Sequence, residues 1–295
     1  MISIPSAFSA SYAQARVKFL EAAATASTRI ESVNHPLPGR DGEQLAMDVA
    51  LDGAAGSEHL LIVSSACHGV EGFCGSGVQV FALHDQDWRA KARDAGVAVL
   101  YIHALNPWGF SHIRRVTQEN VDLNRNFHDF SRPLPANAAY ARVHPLLLPA
   151  VWPPDAANQA AVQAFIAQDG LPAWQAAISG GQHEFEDGLF YGGRAPTWSN
   201  QTLRAVLARH AATARRVAWI DLHTGLGPSG VGERIWAGGN DAPSIARAKR
   251  WWGDAVTSIY DGSSTSALLT GLMWESIHDA APQAQYTGVA MEYGT

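Results

Sequence analysis

Several short and almost uninterrupted apolar runs, separated by helical patterns, constrain the fold of this sequence more than any other feature. The clearest runs cover residues 60–64, 97–103 and 217–222, and two further candidate strands that include charged residues cover 233–237 and 289–293. Strands without polar alternation are buried on both faces, which is typical of parallel sheets covered by helices. The sequence therefore predicts an α/β protein with a central mixed, mostly parallel sheet flanked by helices.

The remaining segments predict the helices, connections and outer strands around this sheet. We expect helices over 9–27, 75–86 and 156–179, an edge strand over 45–51 and a long connection over 131–155. We also expect Ser199 to cap one helix, and Asp241 or Ser244 to cap another that reaches about Tyr260. Because no internal repeat or clear linker is evident, the sequence favours one domain over residues 1–295.

The composition limits the classes of function that the chain can have. Hydrophobic residues make up 47% of the 295 residues and charged residues 16%, which is typical of a globular chain. The formal net charge of −6 gives no reason to expect nucleic acid or an anionic membrane as a partner. Neither a signal peptide nor a membrane-spanning run is evident, so we expect a cytoplasmic protein.

Residue types that ligate metals follow the first of these strands. His68 and Glu71 are three residues apart in the turn after residues 60–64, a spacing that puts both side chains on one side. They could supply two of the three protein ligands that catalytic zinc commonly takes, although a lone pair of this kind is a weak signal. We expect Cys67 and Cys74 to be small buried side chains. Zinc ligation by Cys67 is the alternative, and it is disfavoured because Cys67 and His68 are adjacent and would point apart.

Two later strands deliver polar residues to the same edge of the predicted sheet. His223 directly follows the 217–222 run, and Glu292 lies in the last run. In parallel-rich α/β sheets, ligands bind beyond the carboxyl ends of the strands. We therefore predict that His68, Glu71 and His223 hold one metal ion. The alternative is that His223 is a core or capping histidine. This alternative is less well supported, because three candidate ligands are expected to meet at the strand ends.

A polar stretch between residues 106 and 130 adds a candidate anion site. It contains the pairs Arg114-Arg115 and Asn124-Arg125. A guanidinium group grips a carboxylate through two parallel hydrogen bonds, and an adjacent amide can donate another. A solvated basic loop is the alternative, and it would be preferred if this stretch stood alone.

Five short motifs follow one another along the chain. They are His68-Gly-Val-Glu71, Asn106-Pro-Trp-Gly109, Asp122-Leu-Asn-Arg-Asn-Phe127, Asp221-Leu-His223 and Met291-Glu-Tyr-Gly294. In this order they resemble the zinc carboxypeptidases and their deacylase relatives, the aspartoacylase and succinylglutamate desuccinylase group. The resemblance runs from about residue 58 to the C-terminus and is greatest to a bacterial branch with no assigned function, of which residues 191–199 are also typical. It implies the phosphorylase/hydrolase-like fold of the carboxypeptidases.

The resemblance also implies chemical roles at the metal site. His68, Glu71 and His223 would ligate one zinc ion per chain, and Glu292 would be the general base. Arg114 or Arg115 would stabilise the oxyanion. Since these two are adjacent, the sequence leaves both open, with a preference for Arg115. Relatives generally continue past the strand that carries Glu292, so we expect the chain to be shorter there than they are.

The resemblance further implies how a substrate is held. Asn124 and Arg125 would bind a substrate carboxylate, and Tyr191 and Arg194 are further candidates for substrate contact. Carboxypeptidases also use a mobile tyrosine near the substrate amide. Tyr260 and Tyr286 are the candidates here, and neither lies in a matched motif.

The expected partner is a small molecule or peptide with a free carboxylate, and the expected reaction is zinc-dependent, carboxypeptidase-like hydrolysis of the amide bond beside it. An N-acyl-amino-acid deacylase is the alternative enzyme, and a carboxylate-binding protein without catalysis is the alternative from another class. A tight pocket closed by residues 182–199 would favour the deacylase, and an open groove would favour the peptidase. The sequence does not indicate an oligomeric state.

Overall fold

A mixed β-sheet of eight strands forms the centre of the protein, of which the computed structural model describes residues 2–295. The strands are Arg29–Pro38 (β1), Gln44–Asp52 (β2), His59–Ser65 (β3), Ala98–His103 (β4), Arg216–Thr224 (β5), Gly232–Ala237 (β6), Val256–Thr257 (β7) and Gln285–Tyr293 (β8). Their order across the sheet is β1-β2-β4-β3-β5-β8-β6-β7. Four of the seven pairings are parallel, which confirms the predicted α/β class with a mixed, mostly parallel sheet.

Eleven helices and three short 3-10 turns lie within residues 2–295. The helices are Ile4–Ala7 (α1), Tyr12–Thr25 (α2), Gly72–His84 (α3), Gln86–Asp94 (α4), Pro107–Ser111 (α5), Ala138–Leu147 (α6), Ala156–Asp169 (α7), Leu171–Ser179 (α8), Trp198–His210 (α9), Ala242–Trp252 (α10) and Ser276–Ala280 (α11). The turns are Gly69–Glu71, Leu123–Arg125 and Met273–Glu275. None of the helices in this part of the chain is both long and apolar enough to cross a bilayer.

Helices cover both faces of the sheet because its central strands are apolar on both. On β3, Leu60 and Ile62 pack in the layer that contains α9 and α11, whereas Leu61 and Val63 pack against α2 and α3. Burial of one such side chain stabilises the fold by about 1.5–3 kcal/mol. The uninterrupted apolar run of the sequence therefore reflects a strand with no solvent-facing side.

The strand predicted as an edge over residues 45–51 is an interior strand. It is β2, which pairs with β4 on one side and with β1 on the other. The edge strand β1 has no counterpart among the predicted strands, because its side chains are mostly exposed and only His35 is buried. A strand that buries so little carries no apolar pattern.

Three predicted helical boundaries and one predicted connection are also corrected. The segment 156–179 forms two helices, α7 and α8, separated by Gly170, whose φ of 89° lies in the left-handed region that favours glycine. Thr197 rather than Ser199 caps α9, since its side chain accepts from Asn200 N. Asp241 caps α10, which ends at Trp252 instead of near Tyr260. The predicted connection over 131–155 contains α6.

The topology brings the carboxyl ends of β3, β5 and β8 side by side. These strands are parallel neighbours, with Ser65 opposite Leu222 and His223 opposite Glu292. The turn after β3 and the last residues of β5 and β8 therefore meet at one edge of the sheet.

Candidate metal centre and substrate cavity

The turn after β3 holds two of the candidate metal ligands. Gly69–Glu71 forms one 3-10 turn, and His68 Nδ1 lies 2.8 Å from Glu71 Oε1. Gly69 is required here, because a Cβ atom would lie 2.1 Å from the carbonyl carbon of Gly109 in α5. Its N–H group donates to the Arg115 carbonyl at 3.1 Å. The turn is thus fixed against α5 and the segment that follows it.

The end of β5 supplies the third candidate ligand. His223 Nδ1 lies 3.0 Å from Glu71 Oε2, and Thr224 N donates to the same oxygen at 3.2 Å. One ligand atom from each of His68, Glu71 and His223 lies within 4.8 Å of the other two. All three residues are buried, with exposed fractions of 5%, 7% and 4%. The structure therefore brings together the residues that the sequence predicts as metal ligands.

Two buried carboxylates lie behind the imidazole rings. Asp221 Oδ2 lies 2.5 Å from His223 Nε2, and Asp122 Oδ1 lies 3.3 Å from His68 Nε2. Such carboxylate–imidazole pairs fix the orientation of a ligating ring and raise its basicity. The sequence predicted no role for either aspartate. A signal existed for Asp221, which lies two residues before His223 on one strand and so on the same face.

The charges around this cluster fit a divalent cation. Four carboxylates and two guanidinium groups surround it, namely those of Glu71, Asp122, Asp221, Glu292, Arg115 and Arg125. With neutral imidazoles, two negative charges are left over, which one divalent cation would neutralise. Burial alone would lower the pKa of His223, but Asp221 and Glu71 raise it well above its ordinary value. The negative charge that attracts a proton to His223 also attracts a metal ion.

A second group of candidate ligands shares His223. One ligand atom from each of Cys67, Asp221 and His223 also lies within 4.8 Å of the other two. Burial raises the pKa of the Cys67 thiol well above its ordinary value, and the nearby carboxylates raise it further. Because the thiolate is the metal-binding form of cysteine, the group of His68, Glu71 and His223 fits a metal better.

The candidate ligands line a cavity of about 490 Å³, and so does one of the two adjacent arginines. Arg115 donates through Nε to Asp122 Oδ2 at 3.0 Å, and its Nη2 atom lies 2.7 Å from His68 Nε2. The side chain of Arg114 is exposed and lies outside the cavity lining. Its carbonyl accepts from Val70 N at 3.0 Å. The cavity-facing position therefore belongs to Arg115.

Arg125 is buried in the cavity wall beside Asn124, which also lines the cavity. Nε and Nη2 donate to the Ser179 carbonyl at 3.0 and 2.7 Å, and Nη1 donates to the Asn124 carbonyl at 2.9 Å. These bonds use three of the five N–H groups of a guanidinium, so two remain for a ligand. Burial lowers the pKa of Arg125, and Asp122 opposes this only in part. An anion at the remaining N–H groups would stabilise the buried charge.

Tyr191 and Arg194, which the sequence proposes for substrate contact, lie outside the cavity lining. Tyr191 is 5% exposed and packs inside its loop, whereas Arg194 is exposed and donates to two main-chain carbonyls of the same loop. Phe190 lines the cavity instead, with its ring centroid 5.2 Å from Arg115 Cζ and 5.5 Å from Arg125 Cζ. Its φ of 51° is rare for a bulky residue, and such strain is common at functional sites.

Glu292 lies beside His223 as its register partner on the neighbouring strand β8. It lines the cavity, and its Oε1 accepts a hydrogen bond from Leu226 N at 3.0 Å. Burial raises the pKa of its carboxyl group above the ordinary value, and His223 opposes this effect. A carboxylate with a raised pKa is better suited to exchange protons near neutral pH.

The two tyrosine candidates lie in different environments. Tyr286 lines the cavity, is buried, and stacks on Trp274 with an interplanar angle of 11°. Tyr260 does not line the cavity, and its hydroxyl donates to the Gly238 carbonyl at 3.0 Å. Of the two, Tyr286 is therefore the one that a ligand in the cavity could contact.

Comparisons with known proteins agree with this architecture. Thrombin activatable fibrinolysis inhibitor is similar at a TM-score of 0.53 and 12% identity, over 97% of this chain and 68% of that one. The bovine form in complex with tick carboxypeptidase inhibitor gives a TM-score of 0.52 and 11% identity, over 97% of this chain and 86% of that one. A metallo-carboxypeptidase from Burkholderia cenocepacia gives a TM-score of 0.43 and 12% identity, over 95% of this chain and 59% of that one. At these identities the first two show the fold alone, and that fold is the one expected from the resemblance.

The sequence comparisons place the chain in one family. A search of curated proteins gives no match. A family model described as a protein of unknown function, DUF2817, matches residues 8–295. Since this match covers nearly the whole length, the chain belongs to the DUF2817 family.

Proposed function

We propose that this protein is a zinc-dependent hydrolase that cleaves an amide bond next to a free carboxylate, as a carboxypeptidase does. One observation carries the proposal. The buried group of His68, Glu71 and His223 shares a single cavity with the buried guanidinium of Arg125 and the carboxylate of Glu292. A metal site alone would suit many functions. A metal site beside a buried anion site and a carboxylate base suits hydrolysis at the end of a chain.

His68, Glu71 and His223 would hold the zinc ion, in the His₂Glu set known from catalytic zinc sites. When bound, zinc supplies Lewis acidity, which makes a carbonyl carbon more electrophilic and water more acidic. Asp122 and Asp221 would keep the Nδ1 atoms of the two imidazoles directed at the metal position.

Arg125 and Asn124 would bind the carboxylate of the substrate. Both residues line the cavity, Arg125 keeps two N–H groups beyond those that bind main-chain carbonyls, and Asn124 Oδ1 accepts from Met273 N at 2.9 Å. That bond leaves the Asn124 amide nitrogen free to donate. The substrate would thus be fixed by its charged end, with the amide bond toward the candidate metal ligands.

Glu292 and Arg115 would carry the proton and the charge of the reaction. Glu292 takes a proton from the water that adds to the carbonyl carbon, and it delivers a proton to the amine nitrogen as the C–N bond breaks. Arg115, which lines the cavity and has a side chain that is 38% exposed, donates to the oxygen that becomes negative in the transition state.

One observation favours the peptidase over the N-acyl-amino-acid deacylase. Of the loop 182–199, which would have to close a tight deacylase pocket, only Phe190 lines the cavity among the residues that the structure describes. The opening that remains suits a peptide that extends out of the site.

The proposal is tested by a substrate screen on zinc-loaded protein. Peptides with a free C-terminal carboxylate should be hydrolysed, their C-terminal amides should not, and N-acyl amino acids should react more slowly than peptides. Faster hydrolysis of N-acyl amino acids would move the assignment to the deacylase. Binding of the peptides without hydrolysis would instead indicate a carboxylate-binding protein that lacks catalysis.

A further inference from the structure

A buried hydrogen-bond network runs from the centre of the sheet to the candidate ligand His223. Trp219 Nε1 donates to Ser64 Oγ at 2.7 Å, and Ser64 Oγ donates to Asp221 Oδ1 at 2.6 Å. The other carboxylate oxygen, Asp221 Oδ2, lies 2.5 Å from His223 Nε2. Ser64 on β3 is the register partner of Asp221 on β5, and Trp219 lies two residues earlier on the same face of β5. The pairing of two central strands therefore sets up the network.

The chemistry of each group fixes the direction of these hydrogen bonds. An indole N–H group can only donate, so Ser64 Oγ is the acceptor from Trp219. The single hydroxyl hydrogen of Ser64 is then left for Asp221 Oδ1, because an ionised carboxylate only accepts. When His223 is neutral, Asp221 Oδ2 accepts from its Nε2–H group, so the lone pair of the ring is on Nδ1. Ser64 and Trp219 are at most 1% exposed, so solvent does not replace these bonds.

The two groups of candidate metal ligands approach His223 from opposite ring nitrogens. We call His68, Glu71 and His223 the glutamate group, and Cys67, Asp221 and His223 the cysteine group. Nδ1 of His223 lies 3.0 Å from Glu71, whereas Nε2 lies beside Asp221. The glutamate group would therefore use Nδ1, and the cysteine group would use Nε2. A metal ion in the cysteine group would require Asp221 to give up its hydrogen bond to His223 and become a ligand.

The hydroxyl of Ser64 holds Asp221 in the hydrogen-bonded arrangement. It satisfies Oδ1 and ties the carboxylate to β3, while Oδ2 remains paired with His223. A buried carboxylate oxygen without a partner is costly. Without the hydroxyl, Asp221 would have an unsatisfied oxygen that a metal ion could bind, and Cys67 is the other new ligand of that group.

We propose that Ser64 is a positioning residue that keeps Asp221 as the hydrogen-bond acceptor of His223 and thereby directs the metal to the glutamate group. Trp219 supports it, because its N–H group fixes the direction of the hydroxyl. The inference rests on the proposed function for the presence of a metal ion, and on no property of the substrate.

The first test measures zinc affinity by competition with a chelator. Ser64→Ala should weaken zinc binding by about 10–100-fold, and Trp219→Phe, which keeps an aromatic ring, should weaken it by about threefold or more. Ser65→Ala is the matched control, because Ser65 is equally buried but donates to Gln79 Oε1 at 2.8 Å. Successive residues of a strand point to opposite faces, so this change should leave the affinity within about twofold.

The second test uses cobalt(II) in place of zinc. A thiolate ligand gives bound cobalt an intense sulfur-to-metal charge-transfer band in the near ultraviolet, which imidazole and carboxylate ligands do not give. The wild type and Ser65→Ala should lack this band, and Ser64→Ala should show it. The further change Cys67→Ser should remove the band from Ser64→Ala.

Three results would overturn the inference: unchanged zinc affinity in Ser64→Ala, an equal loss in Ser65→Ala, or no thiolate band in Ser64→Ala. An equal loss in the control would indicate a merely structural role. If Ser64→Ala does not fold, Trp219→Phe decides, and wild-type zinc affinity in that variant would overturn the inference.

Neither test needs turnover, so the two proposals can fail separately. A wild type that binds zinc and follows this pattern without hydrolysing peptides would refute the hydrolase and support the role of Ser64. A wild type that binds neither zinc nor cobalt would overturn both.

Discussion

The buried Arg125 allows a prediction whose size follows from its contacts. Its side chain uses three N–H groups on main-chain carbonyls and keeps two for a ligand. A hydrogen bond to a charged group is worth about 1.5–3 kcal/mol. Two such bonds would favour a free carboxylate over its amide by about 3–6 kcal/mol, or roughly 10²–10⁴-fold in kcat/KM. Arg125→Ala should remove most of that preference.

The assay uses a pair of peptides that differ only in a free or an amidated C-terminus. Because Arg125→Ala also leaves the Ser179 carbonyl without its donor, some activity is lost for structural reasons. That loss is common to both peptides and cancels in the ratio of their kcat/KM values. Arg114→Ala, which removes an exposed neighbouring guanidinium, should leave the ratio unchanged. Equal losses on acid and amide in Arg125→Ala would refute the role of Arg125.

Two further predictions concern a catalytic group and the fold. Glu292→Gln keeps the shape of the base but not its proton exchange, so it should lower kcat by about 10²–10⁴-fold with unchanged zinc content. Steady-state kinetics and metal analysis check this, and an undiminished kcat would contradict it. Burial lowers the pKa of His103 from 6.5 to about 4, so the unfolded chain binds the extra proton and stability falls as the pH drops through this window. Urea denaturation should show that this group contributes about 2 kcal/mol less to the free energy of unfolding at about pH 5 than at about pH 7. His103→Gln should remove this part of the pH dependence of stability. An identical pH dependence of stability in the wild type and His103→Gln would contradict this role of His103.

The central strands and the residues at their ends could be predicted because their signals are local. An apolar run of five to seven residues identifies a doubly covered strand, and His68, Glu71 and His223 stand directly after such runs. Parallel strands then bring those ends together without further information. The edge strand β1 lacked this signal, since most of its side chains face solvent.

Side-chain direction in irregular segments could not be predicted, because no periodicity applies there. Phe190 and Tyr191 are adjacent, and only the fold decides that Phe190 lies against the arginines while Tyr191 packs inside the loop. Arg115 reaches the cavity because the turn at Gly69 binds the carbonyls of this segment. Glu233 lies in no motif, and its hydrogen bonds to the distant Thr265 exist only in the folded chain.

The most direct test of the central claim is the metal content of the purified protein and four variants, measured by mass spectrometry of the dissolved metal. The wild type should hold about one zinc ion per chain, and His68→Ala, Glu71→Ala and His223→Ala should each lose most of it. Cys67→Ser should keep it, because Cys67 belongs to the other group of candidate ligands. Wild-type zinc content in His68→Ala together with loss in Cys67→Ser would contradict the assignment and move the metal to Cys67, Asp221 and His223.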